Sequence, residues 1–151
     1  MEFSSDTGAS GFALEPGAEG RLQGALWGAL EAGTLAQLHA ALQALAASGG
    51  FPRQLLLRLE GVTACGAEAQ ARWVALHGWL AQVRWRSAYL DTRPWGRGLA
   101  LGVVHRAEDP RALAVGHEAP ALAWLEAQDT RLEAMQALAE GGALPPRGGR
   151  P

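Results

Sequence analysis

Residues 83–95 read Val-Arg-Trp-Arg-Ser-Ala-Tyr-Leu-Asp-Thr-Arg-Pro-Trp, which predicts a strand that stops at Asp91 and turns into a helix near Trp95. Pro94 suits the first turn of a helix, because it has no N–H to leave unpaired there. Alternate side chains of a strand point to opposite faces of its sheet. The two predicted faces consist of Trp85, Ser87 and Tyr89 and of Arg84, Arg86 and Ala88.

The rest of the chain repeats this change from strand to helix. Apolar runs predict strands at 11–15, 21–27, 54–60 and 112–116, and residues 61–66 are predicted to form a turn after the third of these. Stripes at three- and four-residue spacing predict helices from 35, from 67 to 82 and from 121. Thr34 is the predicted cap of the first of these helices. Such alternation indicates an α/β domain, with a mostly parallel sheet of about five strands covered by about four helices. The first two strands would form an antiparallel edge pair.

Four segments follow from this reading. Residues 1–10 are small and polar and are predicted to be disordered, and residues 11–125 form the single domain. Residues 126–140 continue the last helix as a helical extension, and residues 141–151 are a flexible tail. The apolar face of the extension would pack on its own domain, on a partner or on a second copy, which would make a homo-oligomer.

The composition limits the class of function. The chain has 151 residues and a formal net charge of −2, which gives no reason to expect nucleic acid or an acidic membrane as partner. Cys65 is the only cysteine, and the N-terminus lacks a signal-peptide pattern, so a cytoplasmic location is expected. No apolar run approaches the ~20 residues of a membrane span. All basic residues are Arg, and Lys, Asn and Ile are missing, which is typical of a GC-rich, bacterial genome.

No pattern of catalytic or metal-binding residues stands out. The sequence contains no nucleophile elbow, phosphate-binding loop or zinc spacing, so we expect no catalytic residue, no metal and no cofactor. Cys65 precedes a predicted helix, where a thiol can become reactive, but a small apolar turn residue is the better interpretation. The six tryptophans are interpreted as core and lid residues.

The order and spacing of four segments resemble the STAS fold, in particular its SpoIIAA-like branch of anti-sigma-factor antagonists. The similar segments are residues 21–34, 55–71, 89–100 and 121–125, within a resemblance that covers about residues 12–125. The resemblance implies a non-catalytic regulatory or scaffolding module that acts by binding a protein. It places the partner-binding surface before and along the second helix, with the residues Val62, Thr63, Cys65, Glu68 and Arg72.

One departure from the family concerns its phosphorylatable serine at the start of the second helix. The corresponding residues here are Cys65-Gly66-Ala67-Glu68, which carry no hydroxyl, so the serine switch does not carry over. Glu68 is interpreted either as a permanent mimic of the phosphorylated state or, more simply, as an ordinary acidic residue in a first helical turn.

A second candidate site lies where the strand of residues 83–91 ends. Asp91, Arg93, Trp95 and Arg97 would hold an anion near helical amides, or Asp91 would form a local ion pair with Arg93 and cap the helix through Thr92. SpoIIAA-like proteins also resemble the lipid-carrying CRAL-TRIO fold. This implies an alternative function, a carrier or sensor of a small apolar or anionic ligand in a pocket near the third helix, lined by Trp95, Leu99, Leu101 and Val103.

Overall fold

Four strand-to-helix units follow an antiparallel start in the computed structural model, which describes residues 3–6, 8–49 and 53–127. The strands are β1 Phe3–Asp6, β2 Ser10–Pro16, β3 Leu22–Leu30, β4 Gln54–Cys65, β5 Arg86–Leu90 and β6 Ala112–Val115. The helices are α1 Ala32–Ser48, α2 Ala67–Gln82, α3 Pro94–Ala107 and α4 Glu118–Glu126. The predicted α/β class, with a mostly parallel sheet and four helices, is confirmed.

The strands of the sheet follow one another in sequence order. β1, β2 and β3 pair antiparallel, whereas β3, β4, β5 and β6 pair parallel. Leu55 lies opposite Ser87 and Leu57 opposite Tyr89, so β4 and β5 are neighbours as predicted. Because each crossover steps to the next strand in the same direction, a constant handedness places α1, α2 and α3 on one face of the sheet.

The two faces of the sheet are covered by different helices. Helices α1, α2 and α3 pack on the larger core, which includes Trp85 and Tyr89. The buried core residues of these helices are Leu35, Leu38, Leu42 and Leu45 of α1, Ala69, Trp73, Leu76 and Leu80 of α2, and Ala100, Val103 and Val104 of α3. Helix α4 covers the other face with Ala121 and Leu125, against a smaller cluster of sheet residues, Leu56, Ala88 and Leu90. Strand β5 is therefore buried on both faces, and it begins at Arg86, later than predicted, so Arg84 lies in the preceding turn and Trp85 just before the strand. The predicted division of side chains agrees with Trp85 and Tyr89 in the larger core and Ala88 in the smaller cluster.

The N-terminus corrects the sequence prediction. Residues 1–10 were predicted to be disordered, yet Phe3–Asp6 forms β1 and brings the strand count to six. The residues of β1 are mostly small and polar, so the strand owes its structure to its ladder with β2, in which Ser4 lies opposite Ala13 and Ser5 opposite Phe12. Tertiary pairing overrides weak local propensity at this edge.

Helix α1 begins earlier than predicted, and Thr34 is not its cap. The capping position is Glu31, and Thr34 lies inside the helix and is fully buried. Its hydroxyl shares a 2.7 Å hydrogen bond with the Ser10 hydroxyl, whose oxygen also accepts the backbone N–H of Glu31 at 3.2 Å. These bonds fasten the first turn of α1 to β2.

Strand β4 is longer than predicted, whereas α2 has the predicted bounds. The residues after Glu60 were predicted to form a turn, but they continue β4 to Cys65 because they pair with β3, with Gly28 opposite Val62 and Leu30 opposite Cys65. The ladder between β4 and β5 ends at the pair Arg58 and Leu90. The second half of β4 therefore projects past the end of β5.

The last helix was predicted to continue without a break into an extension of residues 126–140, but it is interrupted at Ala127. Helix α4 ends at Glu126, and Ala127 has an extended backbone with φ −62° and ψ 146°. The Glu126 carboxylate accepts a 2.9 Å hydrogen bond from Arg21, which anchors the end of α4 to the start of β3. Residues 128–140 of the predicted extension and the predicted tail lie outside the described residues.

Candidate functional site

The carboxyl ends of the parallel strands meet the amino ends of the helices along one edge of the sheet, called the rim below. It is formed by the junctions β3–α1, β4–α2, β5–α3 and β6–α4. Both predicted sites lie on this rim, the partner-binding residues at the β4–α2 junction and the ligand-binding residues at the β5–α3 junction. Ligands of open α/β sheets commonly bind at such an edge.

Arg93 closes the open side of β4 beyond the end of β5. Its two terminal nitrogens donate to the backbone carbonyls of Leu59 and Val62 at 2.7 and 2.8 Å. Strand carbonyls left without a neighbouring strand need another donor, because an unpaired backbone group is costly when it is buried. The guanidinium therefore takes the place that a longer β5 would have filled.

The same guanidinium holds Asp91, whose carboxylate is fully buried. Arg93 Nε and Nη2 lie 3.0 and 2.9 Å from the two carboxylate oxygens, and the Arg93 backbone N–H donates to Oδ1 at 2.9 Å. Burial alone would raise the pKa of Asp91, but the hydrogen bonds and charge of Arg93, together with the charge of Arg97, hold that pKa below its usual value. We call Asp91 and Arg93 the rim clamp.

Helix α3 is fitted closely around the rim clamp. A Cβ at Gly96 would lie 1.6 Å from Asp91 Oδ2, so only glycine leaves room for the carboxylate at this position. Arg97 donates through Nη1 to the carbonyls of Asp91 and Thr92 at 3.0 and 2.9 Å. The predicted ion pair of Asp91 with Arg93 is thus present, but the predicted cap is wrong, because the capping position of α3 is Arg93 and no side chain accepts a capping hydrogen bond there. The hydrogen bonds of both arginines described here go to groups of the chain itself.

The remaining predicted ligand residues do not share one cavity. Trp95 is 49% exposed, and the Arg93 guanidinium lies 5.3 Å from the centre of its ring. Leu101 is 44% exposed on α3, whereas Val103 is buried in the core and Leu99 packs against that core. These side chains point in different directions around the helix, and they do not enclose a pocket beneath it.

The predicted partner-binding residues divide between core and surface. Val62 is 1% exposed and gives its side chain to the core, so it cannot present that side chain to a partner. Thr63, Glu68 and Arg72 are exposed, and Cys65 is half-buried. Burial raises the pKa of the Cys65 thiol to about 11, against an opposing effect of the Arg106 charge, so the thiol stays protonated at neutral pH.

Beside these residues, the first turns of α1 and α2 border a shallow groove of about 480 Å³. Its lining residues are Leu30, Glu31, Ala32, Gly33, Gly66, Ala67, Glu68 and Ala69. The backbone amides of two helix starts carry partial positive charge, and Glu31 and Glu68 place negative charge beside them. The groove therefore offers small side chains and two carboxylates to a partner.

A buried network of polar side chains joins α2, β5 and the start of β6, and sequence analysis missed it. Trp73 Nε1 donates to the Tyr89 hydroxyl at 2.8 Å, and that hydroxyl donates to His77 Nε2 at 2.6 Å. His77 Nδ1 donates to Asp109 at 2.7 Å, and the same carboxylate accepts the backbone N–H of Arg111 at 3.0 Å. This direction of donation assigns the ring proton of His77 to Nδ1.

The buried network has the order of groups found in acid–base relays, but none of its four side chains reaches the surface. Trp73, His77, Tyr89 and Asp109 are all nearly or fully inaccessible to solvent. Burial, with the negative charge of Asp109, raises the pKa of Tyr89 well above its usual value, although the hydrogen bond from Trp73 opposes this. One sequence signal does exist, because Trp73 and His77 are four residues apart on α2, and Tyr89 faces the same core.

The described part of the chain contains neither a candidate metal centre nor a helix that could span a membrane. Within residues 3–6, 8–49 and 53–127, no three His, Cys, Asp or Glu side chains are grouped as a metal ion requires. In the same part of the chain, every helix is too short or too polar to cross a membrane.

A scan against protein-family models matches no family, and a search of curated proteins matches none of them.

Proposed function

We propose that this chain is a non-catalytic regulatory or scaffolding module, similar to STAS domains, that binds a protein partner at the β4–α2 junction of the rim. The observation that carries the proposal is the second half of β4. It projects past β5 and ends beside the groove between α1 and α2, with Thr63, Glu68 and Arg72 exposed. A projecting strand end beside an accessible helix presents an ordered surface that a partner can contact.

The state of the reactive groups supports a binding role. The Cys65 thiol is protonated at neutral pH, since its pKa is raised to about 11. Asp91 is buried and held by Arg93, and the His77–Asp109 pair lies in the core. General acid–base or nucleophilic catalysis needs a group that a substrate can reach.

The resemblance to SpoIIAA-like domains suggests what Glu68 does. It is an acidic residue in the first turn of α2, where those domains carry their serine. A fixed carboxylate there gives part of the negative charge of a phosphoserine, next to helical amides that favour such charge. We therefore propose a cytoplasmic, bacterial module whose binding surface carries the permanent negative charge of Glu68, where SpoIIAA-like domains carry a phosphorylatable serine.

Variants that add positive charge at the two ends of the sheet test this proposal. Wild type, Glu68→Arg and Thr63→Arg are used to recover proteins from a lysate of the source organism, with Glu15→Arg as control. Glu15 is also exposed, but it lies at the end of β2, so its reversal changes the net charge as much as Glu68→Arg does without touching the rim. Quantitative mass spectrometry identifies proteins that wild type and control retain and the rim variants lose.

A protein that meets this criterion is then purified and titrated calorimetrically. We expect Glu68→Arg to weaken its binding by about tenfold or more, equivalent to about 1.4 kcal/mol. If no protein is retained by wild type, or if Glu15→Arg weakens binding as strongly as Glu68→Arg, the proposed surface is wrong.

A further inference from the structure

A groove of about 460 Å³ lies between the carboxyl-terminal parts of α1 and α2, at the end of the molecule opposite the rim. Its apolar lining consists of Ala46, Ala47, Trp79, Val83 and Trp85. The two alanines near the end of α1 leave space that larger side chains would fill. A cleft of this volume with apolar walls is typical of sites for small molecules. We call it the indole groove.

The tight turn between α2 and β5 fixes Trp85 beside this groove. The backbone N–H groups of Val83 and Trp85 donate to the carbonyls of Trp79 and Leu80, both at 3.0 Å. Arg84, between them, has a left-handed backbone with φ 62°, which reverses the chain. The Trp85 side chain is thereby held in the larger core, where it is 1% exposed.

The indole N–H of Trp85 is buried and has no hydrogen-bond acceptor among the described residues. Two other indoles of the chain are paired, that of Trp73 with the Tyr89 hydroxyl at 2.8 Å and that of Trp124 with the Ser87 carbonyl at 3.0 Å. A buried indole N–H usually finds such a partner, because a buried donor without an acceptor is costly. Since Trp85 lines the groove, a ligand in the groove can supply the missing acceptor.

The second indole of the groove suits a flat apolar molecule. The rings of Trp79 and Trp85 have centroids 6.3 Å apart and planes inclined at 42°. Trp79 is half-buried and packs against the core, so its position is fixed while part of its surface remains accessible. An aromatic ring that lies against it would gain both apolar burial and ring contact.

The charges at the groove favour an uncharged ligand. Among the described residues that line it, none is acidic, so a cation would have no partner there. Its two arginines are already engaged within the chain, because Arg53 Nη1 donates to the Val83 carbonyl at 3.1 Å and Arg84 also interacts within the chain. The donor that lacks an acceptor is the neutral indole N–H, which a neutral carbonyl oxygen satisfies without burying a charge.

We propose that the indole groove binds a small, uncharged aromatic molecule that carries a carbonyl or similar oxygen acceptor. The oxygen accepts the hydrogen bond of Trp85 Nε1, and the ring lies against the indole of Trp79. The groove is at the other end of the strands from the rim, so this binding does not depend on the proposed partner surface.

NMR titration of the full chain with three probes of similar shape tests the site. Acetophenone has a carbonyl group on a flat ring, α-methylstyrene has a methylene group in place of that oxygen, and benzoate has a charged oxygen in place of the methyl group. The indole N–H cross-peak of Trp85, assigned by triple-resonance experiments, reports on the proposed hydrogen bond. We expect acetophenone to move this peak downfield with saturation. At equal concentration, α-methylstyrene should bind about tenfold more weakly, because it offers no acceptor. Benzoate should also bind more weakly than acetophenone, because the groove does not compensate the loss of its hydration.

Two variants of α1 locate the binding. Ala47 is exposed and lines the groove, so Ala47→Phe fills the groove and should weaken acetophenone binding about tenfold or more. The matched control, Ala44→Phe, adds the same ring at another exposed position of the same helix, outside the groove, and should leave binding unchanged. Thermal unfolding of both variants confirms that they are folded.

Four outcomes would overturn the proposal. One is the absence of a saturable change in the Trp85 cross-peak up to about 20 mM acetophenone, a weak limit for a molecule of this size. The second is equal binding of acetophenone and α-methylstyrene, which would mean that the indole N–H takes no part. The third is tighter binding of benzoate, which would mean a site for anions. The fourth is an equal loss of binding in Ala44→Phe and Ala47→Phe, which would place the probe elsewhere.

Discussion

The rim clamp and the buried network both hold β5 in place, but they do so with opposite chemistry. The clamp joins a buried carboxylate to a partly exposed guanidinium, and most of its strength depends on charge. The network is a chain of directed hydrogen bonds from Trp73 to Asp109, sealed from water. The clamp tolerates no added volume, and it loses its stabilising effect when its carboxylate is protonated. The network loses its stabilising effect when one of its donors or acceptors is removed.

The largest effect is expected from Gly96→Ala, which tests how tightly the clamp is packed. The added methyl group would overlap Asp91 Oδ2, and because Arg93 holds that carboxylate from the other side, either the ion pair or α3 must move. We expect a loss of about 3 kcal/mol in the free energy of unfolding, measured by urea denaturation. The matched control is Gly98→Ala, which meets no atom within 4 Å and should stabilise the helix by up to about 1 kcal/mol. Equal losses in the two variants would contradict the close fit.

Arg93→Ala is expected to cost about 2 kcal/mol, because it leaves a buried carboxylate and two strand carbonyls without their donor. Arg93→Lys should recover less than half of this loss, since an ammonium group cannot bridge the carboxylate and both carbonyls. Arg106→Ala on the exposed face of the same helix serves as control and should cost less than about 0.5 kcal/mol. Full recovery with lysine would show that charge alone matters.

Tyr89→Phe is expected to cost about 1.5 kcal/mol, because Trp73 loses its acceptor and His77 loses its donor inside the core. The ring remains and the packing changes little, so the loss reports on the hydrogen bonds of the network. The same urea denaturation measures it. A double variant with His77→Leu should lose less than the sum of the two single variants, because both act on one network. Additive losses would contradict the coupling.

Acid should affect the clamp through Asp91. Its pKa is lowered by folding, so the stability that it contributes is complete above the pKa of about 3.9 of the unfolded chain and disappears as the pH falls through the folded value. Without Arg93, burial would dominate and raise this pKa instead. The difference in unfolding free energy between wild type and Arg93→Ala should therefore shrink between pH 5 and pH 2, as followed by urea denaturation at each pH. A constant difference would contradict the assigned cause.

High pH should affect the buried network through Tyr89. Of the changes predicted here, this one has the smallest effect on the free energy of unfolding near neutral pH. The chain has one tyrosine, so tyrosinate absorbance reports on Tyr89 alone. Burial raises the pKa of Tyr89, hence the stability that it contributes is complete below the unfolded value of about 10 and is lost as the pH rises through the folded value. Tyrosinate should appear together with unfolding in the native protein and near pH 10 in guanidinium chloride. A reversible titration near pH 10 without unfolding would contradict the burial argument.

The contrast between the rim clamp and the buried network also shows which parts of the structure could be predicted from sequence. The α/β class, the neighbouring β4 and β5, the bounds of α2 and the local pair of Asp91 with Arg93 follow from apolar periodicity, turn residues and proximity along the chain. Each depends on residues that are close in sequence, or on a rule that relates whole elements.

The remaining features depend on pairs distant in sequence. β1 forms because β2 lies beside it, and β4 extends to Cys65 because β3 accompanies it. The network joins His77 to Asp109 across 32 positions of the chain. The four-residue spacing from Trp73 places His77 on the buried face of α2, but its partner Asp109 is identified only by the fold.

The reach of Arg93 to the carbonyls of Leu59 and Val62 has a consequence for how any partner can approach. An uncovered strand edge invites a foreign strand to extend the sheet, which is a common route both to peptide recognition and to aggregation. Here the acceptors that such an intruder would need are already occupied by a side chain of the same molecule. The projecting strand is thereby protected from augmentation, and recognition at this end of the sheet must depend on side chains and helix starts.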